Sequence, residues 1–272
     1  MSTQPKSEPL FDNLAEMRHI FKTFNPGTVS EISLFQDFGL SLRRGSFTVV
    51  VGSNGSGKTT LLNILCGSIA PDSGEVIIDG RESSRFSECH HAKLIGRVFQ
   101  NPAAGTCPKL TVLENLALAD NKGKCFGLSR GISKKQIDFY RSQLELLKLG
   151  LENKLNLPVA NLSGGQRQAL ALLICSMTPI SLLILDEHTA ALDPKSSETI
   201  MELTDRFVRE KHLTALMVTH NLKYAANFGD RLLMMHRGNI VFDVCGNKKA
   251  SVGIRDLTEK FDEISIEDGN SV

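Results

Sequence analysis

Three glycines, a lysine and a threonine carry the first chemistry in this chain: Gly52-Ser53-Asn54-Gly55-Ser56-Gly57-Lys58-Thr59, followed by Thr60. A turn built on these glycines aims its backbone N–H groups at one anion. A helix opening at Lys58 points its positive end at the same place. Lys58 adds a point charge suited to the β- and γ-phosphates of a nucleotide, and Thr59 adds a hydroxyl that ligates Mg²⁺. The second site lies at the end of Ser181-Leu182-Leu183-Ile184-Leu185-Asp186-Glu187. Asp186 is placed to hold the metal at a strand tip. Glu187 is the candidate general base for the water that attacks the γ-phosphate. The phosphate loop alone says that the chain binds a nucleoside triphosphate; an apolar strand ending in two acids is by itself a common charged turn.

The neighbouring segments supply the elements that position these groups. Phe47-Thr48-Val49-Val50-Val51 is a continuous apolar run, as expected of a strand buried on both faces in a parallel sheet. It runs into the glycine loop, and Lys58–Leu65 reads as the helix that follows, which is the context a phosphate loop requires. A further strand, Thr214–Val218, leads to Thr219-His220-Asn221, and Val98-Phe99-Gln100-Asn101-Pro102 ends a third. Leu110–Leu118 and Asp138–Leu149 carry helical periodicity. Ser163-Gly164-Gly165 precede a helix over Gln166–Met177, whose N-terminus forms a second anion-facing site.

Length and composition agree with a nucleotide-binding enzyme. The 272 residues suffice for one or two domains with a sizeable core. Thirty-one basic against thirty acidic residues leave a net charge of +1, so no global field favours nucleic acid. With no Trp and two Tyr, an aromatic platform for stacking bases is poorly supplied. The opening residues lack the apolar core of a secretory signal, and no run approaches the ~20 apolar residues that span a bilayer. Cys66, Cys89, Cys107, Cys125, Cys175 and Cys245 are scattered, as for reduced thiols. A cytosolic protein is expected, one that moves a solute only through another subunit.

Leu162-Ser163-Gly164-Gly165-Gln166, standing between the phosphate loop and Asp186-Glu187, gives the combination its specificity. Over roughly residues 15–245 the chain resembles the ATP-binding cassette of ABC transporters. The resemblance implies an α/β fold: a RecA-like P-loop NTPase core with an antiparallel β subdomain and an inserted α-helical subdomain. The core would span 15–100 and 164–245 and the helical subdomain about 101–163, between an N-terminal segment 1–14 and a C-terminal tail 246–272. It further implies that His220 contacts the γ-phosphate and links it to Glu187, and that Gln100 senses Mg²⁺. Phe24, with Phe21 second, would stack on adenine. Ala190-Ala191-Leu192-Asp193 would form a loop at a dimer interface. The implied ligands are ATP and Mg²⁺. The implied working unit is a head-to-tail pair of cassettes, in which Ser163, Gly164, Gly165 and Gln166 of one copy face the nucleotide of the other. His188 departs from the family pattern, in which proline is usual; a proline fixes φ beside the base and histidine does not. A structural role is expected for it.

Phe24-Asn25-Pro26-Gly27-Thr28-Val29, Gly105-Thr106 and Asp186–Pro194 are similar to a bacterial subgroup that serves amino-acid importers of the tryptophan/tyrosine type. That likeness implies permease subunits as partners, with a substrate-binding protein acting through them, and a place on the inner face of the membrane. An exporter or lipid-moving machine shares every catalytic residue and remains the alternative; a ribosome- or DNA-directed ATPase is disfavoured. A permease helix is expected to dock near residues 100–118, against Leu110, Val112 and Leu113. Lys122, Lys124, Arg130, Lys134 and Lys135 form a basic run, read as a solvated face with anionic headgroups as the alternative. Cys89-His90-His91 reads as an exposed turn, and the acidic tail past Val244 as partly disordered.

Overall fold

Residues that alternate along an edge and residues that run apolar without a break form two different sheets here. A computed structural model of the chain describes residues 13–84, 86–122 and 132–267, with side chains up to residue 264. The chain begins with β1 (Asn13–Phe24), β2 (Ile32–Arg43) and β3 (Phe47–Gly52), then α1 (Lys58–Leu65), β4 (Ser73–Ile78) and β5 (Arg81–Glu82). Next come α2 (Glu88–Leu94), β6 (Ile95–Val98), α3 (Val112–Asp120), α4 (Lys134–Glu145) and α5 (Gly164–Cys175). The second half holds β7 (Leu182–Asp186), α6 (Pro194–Glu210), β8 (Thr214–Val218), α7 (Leu222–Asn227), β9 (Arg231–His236) and β10 (Asn239–Cys245). Two further helices close the described chain, α8 (Gly246–Ala250) and α9 (Ile254–Glu267).

The strands β2-β1-β4-β5 form an antiparallel sheet. The order β10-β9-β3-β8-β7-β6 forms the second, parallel except where β10 returns against β9. All six residues of β3 are buried because both faces of this sheet are covered. Val50, Leu182, Ile184, Leu216 and Leu233 pack with α1 and the antiparallel sheet on one side. Phe47, Val49 and Val51 pack with α5, α6 and α7 on the other. That second core continues through Leu170 into Val112, Leu116, Tyr140 and Leu144 of α3 and α4, so the helical insert shares its apolar interior with α5.

Three expectations need correction. Gly246–Ala250 and Ile254–Glu267 are helical rather than disordered: α9 buries Leu257 completely against the core, with Phe261 and Ile264 packed beside it. Cys89-His90-His91 lies in α2, not in an exposed turn, and His91 is buried with Nε2 at 3.0 Å from the Ser83 carbonyl. The helix expected over Asp138–Leu149 runs over Lys134–Glu145, because the Ser133–Gln136 capping box starts it earlier. Lys124 and Arg130 lie outside the described residues.

Candidate functional site

Four neighbouring parallel strands, β3, β8, β7 and β6, end side by side, and each releases part of the site from its carboxyl end. Ligands of open α/β sheets bind at this edge. β3 releases Gly52–Thr59, β8 releases Thr219-His220, β7 ends in Asp186 before Glu187, and β6 is followed by Phe99-Gln100. Cross-strand bonds hold the tips in register: Thr219 N–H donates to the Val50 carbonyl at 3.1 Å, and Glu187 N–H to the Val218 carbonyl at 3.0 Å.

The phosphate loop needs glycine where the chain turns tightest. A Cβ on Gly52 would stand 2.3 Å from the Met235 carbonyl oxygen. Gly57 caps α1 with φ of +102°, and a side chain there would press on the Phe35 ring at 3.0 Å. Lys58 folds back into its own loop: Nζ donates to the carbonyls of Gly52 (2.7 Å) and Ser53 (2.8 Å) and to Ser56 Oγ (3.3 Å). Burial lowers its pKa from the ordinary lysine value, and the charge of Glu187 opposes that shift. Ser53, Asn54, Gly55 and Thr59 are exposed and Thr60 is half-buried, so the N-terminal turn of α1 is open to a ligand.

Glu187 and His220 meet across the tips of β7 and β8, with Glu187 Oε2 3.3 Å from His220 Nδ1. Glu187 has φ of +45°, a left-handed conformation that a non-glycine residue adopts at a cost of roughly 1–3 kcal/mol. Glu187, Thr189, Thr219, His220 and Asn221 border a cavity of about 210 Å³. Asn221 closes its rim by capping α7, its Oδ1 accepting from the N–H groups of Lys223 and Tyr224. His188 is buried, with Nε2 3.2 Å from Thr204 Oγ1 of α6, and burial pushes its pKa down to about 4. It therefore packs as a neutral side chain next to Glu187 in the chain.

Asp186 stands beside α1 with its Oδ2 accepting from Arg97 Nη2 at 2.6 Å. The carboxylate of Asp186, the hydroxyl of Thr59 and the amide oxygen of exposed Gln100 are hard oxygen donors, the chemistry that Mg²⁺ requires. Ser163 caps α5: its Oγ accepts from Gln166 N–H, and Gln166 Oε1 accepts from Ser163 N–H, both at 3.3 Å. Gln166 also accepts from Lys154 Nζ and donates to the Leu149 carbonyl, both at 3.0 Å, and among the described residues no hydrogen bond joins the Ser163-Gly164-Gly165-Gln166 cluster to the phosphate loop. A Cβ on Gly164 would stand 2.9 Å from Leu192, so close packing on the following loop accounts for that glycine. Asp193 caps α6, with Oδ1 accepting from Ser196 N–H at 3.0 Å. Phe24 ends β1 opposite Ile32, half-buried, with Lys22 Nζ 5.7 Å from its ring centroid; Phe21 is 41% exposed and pairs with Ser73.

Sequence reasoning passed over three supporting residues. Gln168 donates from α5 to the Phe99 carbonyl at 3.2 Å, one residue before Gln100. Asn115 is buried and grips the segment after Gln100, accepting from Cys107 N–H and donating to the carbonyls of Cys107, Leu110 and Thr111. Arg97 was the most legible of the three, since a charge inside the short apolar strand Ile95-Gly96-Arg97-Val98 must have a partner.

Comparison with known proteins matches this arrangement. The family described as ABC transporter matches residues 35–190. The chain is 42% identical over 249 residues to the tyrosine transport ATP-binding protein of Clostridioides difficile (strain R20291), covering 92% of this chain and 99% of that protein. It is 33% identical to the ABC transporter ATP-binding protein YxdL of Bacillus subtilis (strain 168), over 95% of this chain and 96% of that one. Among solved structures, the dimeric post-hydrolysis state of the ATP-binding cassette MJ0796 bound to ADP and phosphate superimposes with a TM-score of 0.70. That match has 29% identity and covers 85% of this chain and 98% of the cassette. The ADP conformation of the cassette MJ1267 gives a TM-score of 0.76 at 25% identity over 93% of this chain and 98% of that one. The chain belongs to the ABC transporter family. It has the P-loop ATPase fold of the cassettes and is an ATP-hydrolysing, ATP-binding subunit.

Proposed function

We propose that this chain is the motor of a bacterial importer of a small solute such as an amino acid, and that it works as a head-to-tail pair docked on permease subunits. The observation that carries the catalytic part is the Glu187–His220 pair, 3.3 Å apart at adjacent strand tips, one strand from the phosphate loop. In this reading the loop N–H groups and Lys58 bind the β- and γ-phosphates. Glu187 orients the attacking water and accepts its proton, and His220 holds the γ-phosphate and the Glu187 carboxylate in one geometry. Lys58 exchanges its bonds to Gly52 and Ser53 for bonds to phosphate. Thr59, Asp186 and Gln100 would hold Mg²⁺, which would supply charge neutralisation to the phosphates. Phe24 offers a ring face to adenine without the hydroxyl of a tyrosine. Ser163, Gly164, Gly165, Gln166 and Asp193 serve the nucleotide of the partner copy.

The importer reading rests on the tyrosine transport relative, which matches this chain along nearly its whole length. Among the described residues no helix is long and apolar enough to cross a membrane, so the proposed permease supplies the path and carries the chain to the inner membrane face. A substrate-binding protein would deliver the solute to that permease, and nucleic acid has no part in the cycle. The docking groove is revised at one residue: Val112 is fully buried in the core, which leaves half-buried Leu110 and Leu113 for a permease helix.

Separate roles for Lys58 and Glu187 give the test. Lys58→Ala should weaken nucleotide binding at least about tenfold, since it removes a charge-assisted contact to phosphate. Glu187→Gln should bind ATP like the parent while turnover falls by a factor on the order of 100 or more. Nucleotide titration and single-turnover hydrolysis of both variants check this. Parental hydrolysis by Glu187→Gln would remove Glu187 from its role. Uptake of labelled tyrosine by vesicles holding the chain with its permease, supplied with the substrate-binding protein, checks the solute; uptake that is independent of ATP or absent for amino acids rejects that part.

A further inference from the structure

Arg97 ties together three elements of the site. From β6, its Nη2 donates to Asp186 Oδ2 of β7 at 2.6 Å, and its Nη1 donates to Asn63 Oδ1 of α1 at 2.8 Å. Its guanidinium carbon lies 4.9 Å from the centroid of the Phe99 ring, one residue before Gln100. The parallel pairing of β6 with β7 explains the reach: Arg97 lies opposite Ile184 and Asp186 is two residues on, so all three side chains leave the same face. The Arg97 and Asp186 side chains are only 15% and 19% exposed, so water screens this pair poorly. A planar guanidinium fits the fork between Asp186 and Asn63 while stacking on Phe99; a lysine does not.

We propose that Arg97 is a built-in counter-cation for Asp186, which occupies the metal carboxylate and disfavours free divalent cation, so that the metal enters together with the nucleotide. This rests on the reading of Asp186 as a metal ligand. A free divalent cation arriving at Asp186 alone meets a carboxylate already paired with one positive charge. A cation that arrives bound to ATP brings phosphate charge with it, and Lys58 and the loop N–H groups bind that charge. Arg97 thus acts as a positioning residue, through Asp186, and ties the carboxylate to Phe99 beside Gln100.

Mn²⁺ titration followed by electron paramagnetic resonance, without nucleotide, tests the inference. Arg97→Met should bind Mn²⁺ roughly tenfold tighter than the parent, because a poorly screened like charge is gone. Arg97→Lys, which keeps the charge but not the fork, should stay closer to the parent. If Arg97→Met does not fold by circular dichroism, Arg97→Gln takes its place, since it removes the charge and retains a donor. Mn²⁺ affinity that is unchanged or weaker in the folded neutral variant overturns the inference. Asp186→Asn separates the two readings: if it loses Mn²⁺ binding while the Arg97 variants do not differ, only the role of Arg97 fails. If Asp186→Asn binds Mn²⁺ like the parent, the assignment of Asp186 fails as well.

Discussion

His188 shows how a single residue departing from a family pattern is accommodated. Where proline would stiffen the turn by fixing φ, histidine fills the space behind Glu187 and bonds to Thr204. Its cost appears with pH. The folded-state pKa of about 4 lies below the ordinary value of 6.5, so the unfolded chain binds the proton more readily. The stability tied to neutral His188 is thus complete above about pH 6.5 and is lost as pH falls towards 4. For a fully buried group, this shift corresponds to a loss on the order of 3 kcal/mol. His188→Gln should have a flatter stability profile between pH 7 and 5 than the parent, by denaturant melts at each pH. Parallel profiles would show that His188 takes up its proton without unfolding. Glu187, next in the chain, adds the left-handed φ of +45°, so strained backbone and buried packing stand side by side in this turn.

At the level of elements, what the sequence revealed depended on whether the signal was local. The phosphate loop, the apolar run of β3 and the acids closing β7 are contiguous, and each stands where it was expected. The turn into α3 was half-legible: Thr111 and Glu114 form a capping box that starts the helix at Val112, two residues into the periodic stretch. Arg97 and Asn63 are 34 positions apart and come together only because β6 lies beside β7 and α1 packs over both. No periodicity encodes such a pairing. The tail failed for a related reason. Its acids suggested solvation, but Leu257, Phe261 and Ile264 recur at helical spacing and find a surface prepared by α7. Leu257→Ala should therefore destabilise the whole protein by about 2–4 kcal/mol, as a cavity in a packed core does. Chemical denaturation measures this; a change below about 0.5 kcal/mol would mean that α9 is not part of the cooperative unit.

At the scale of the molecule, the proposed head-to-tail pairing assigns the N-terminal ends of α1 and α5 to different halves of the reaction. α1 opens onto the phosphate loop, whereas the cap of α5 is bonded to itself through Ser163 and Gln166. Gly164 lets that first turn pack closely on Leu192, and a helix N-terminus of this kind is a favourable place for the γ-phosphate of another copy in the proposed pair. The related cassette MJ0796 forms a dimer in its post-hydrolysis state with ADP and phosphate. ATP binding should accordingly drive association, because the closed pair binds nucleotide with two surfaces where the monomer has one. Sedimentation of the Glu187→Gln variant with Mg²⁺-ATP measures this most directly, since slow turnover preserves the bound state. The account predicts a species of twice the 29.8 kDa chain mass that appears with ATP and is abolished by Ser163→Arg. A monomer at saturating ATP and high protein concentration, or a dimer indifferent to Ser163→Arg, would contradict it.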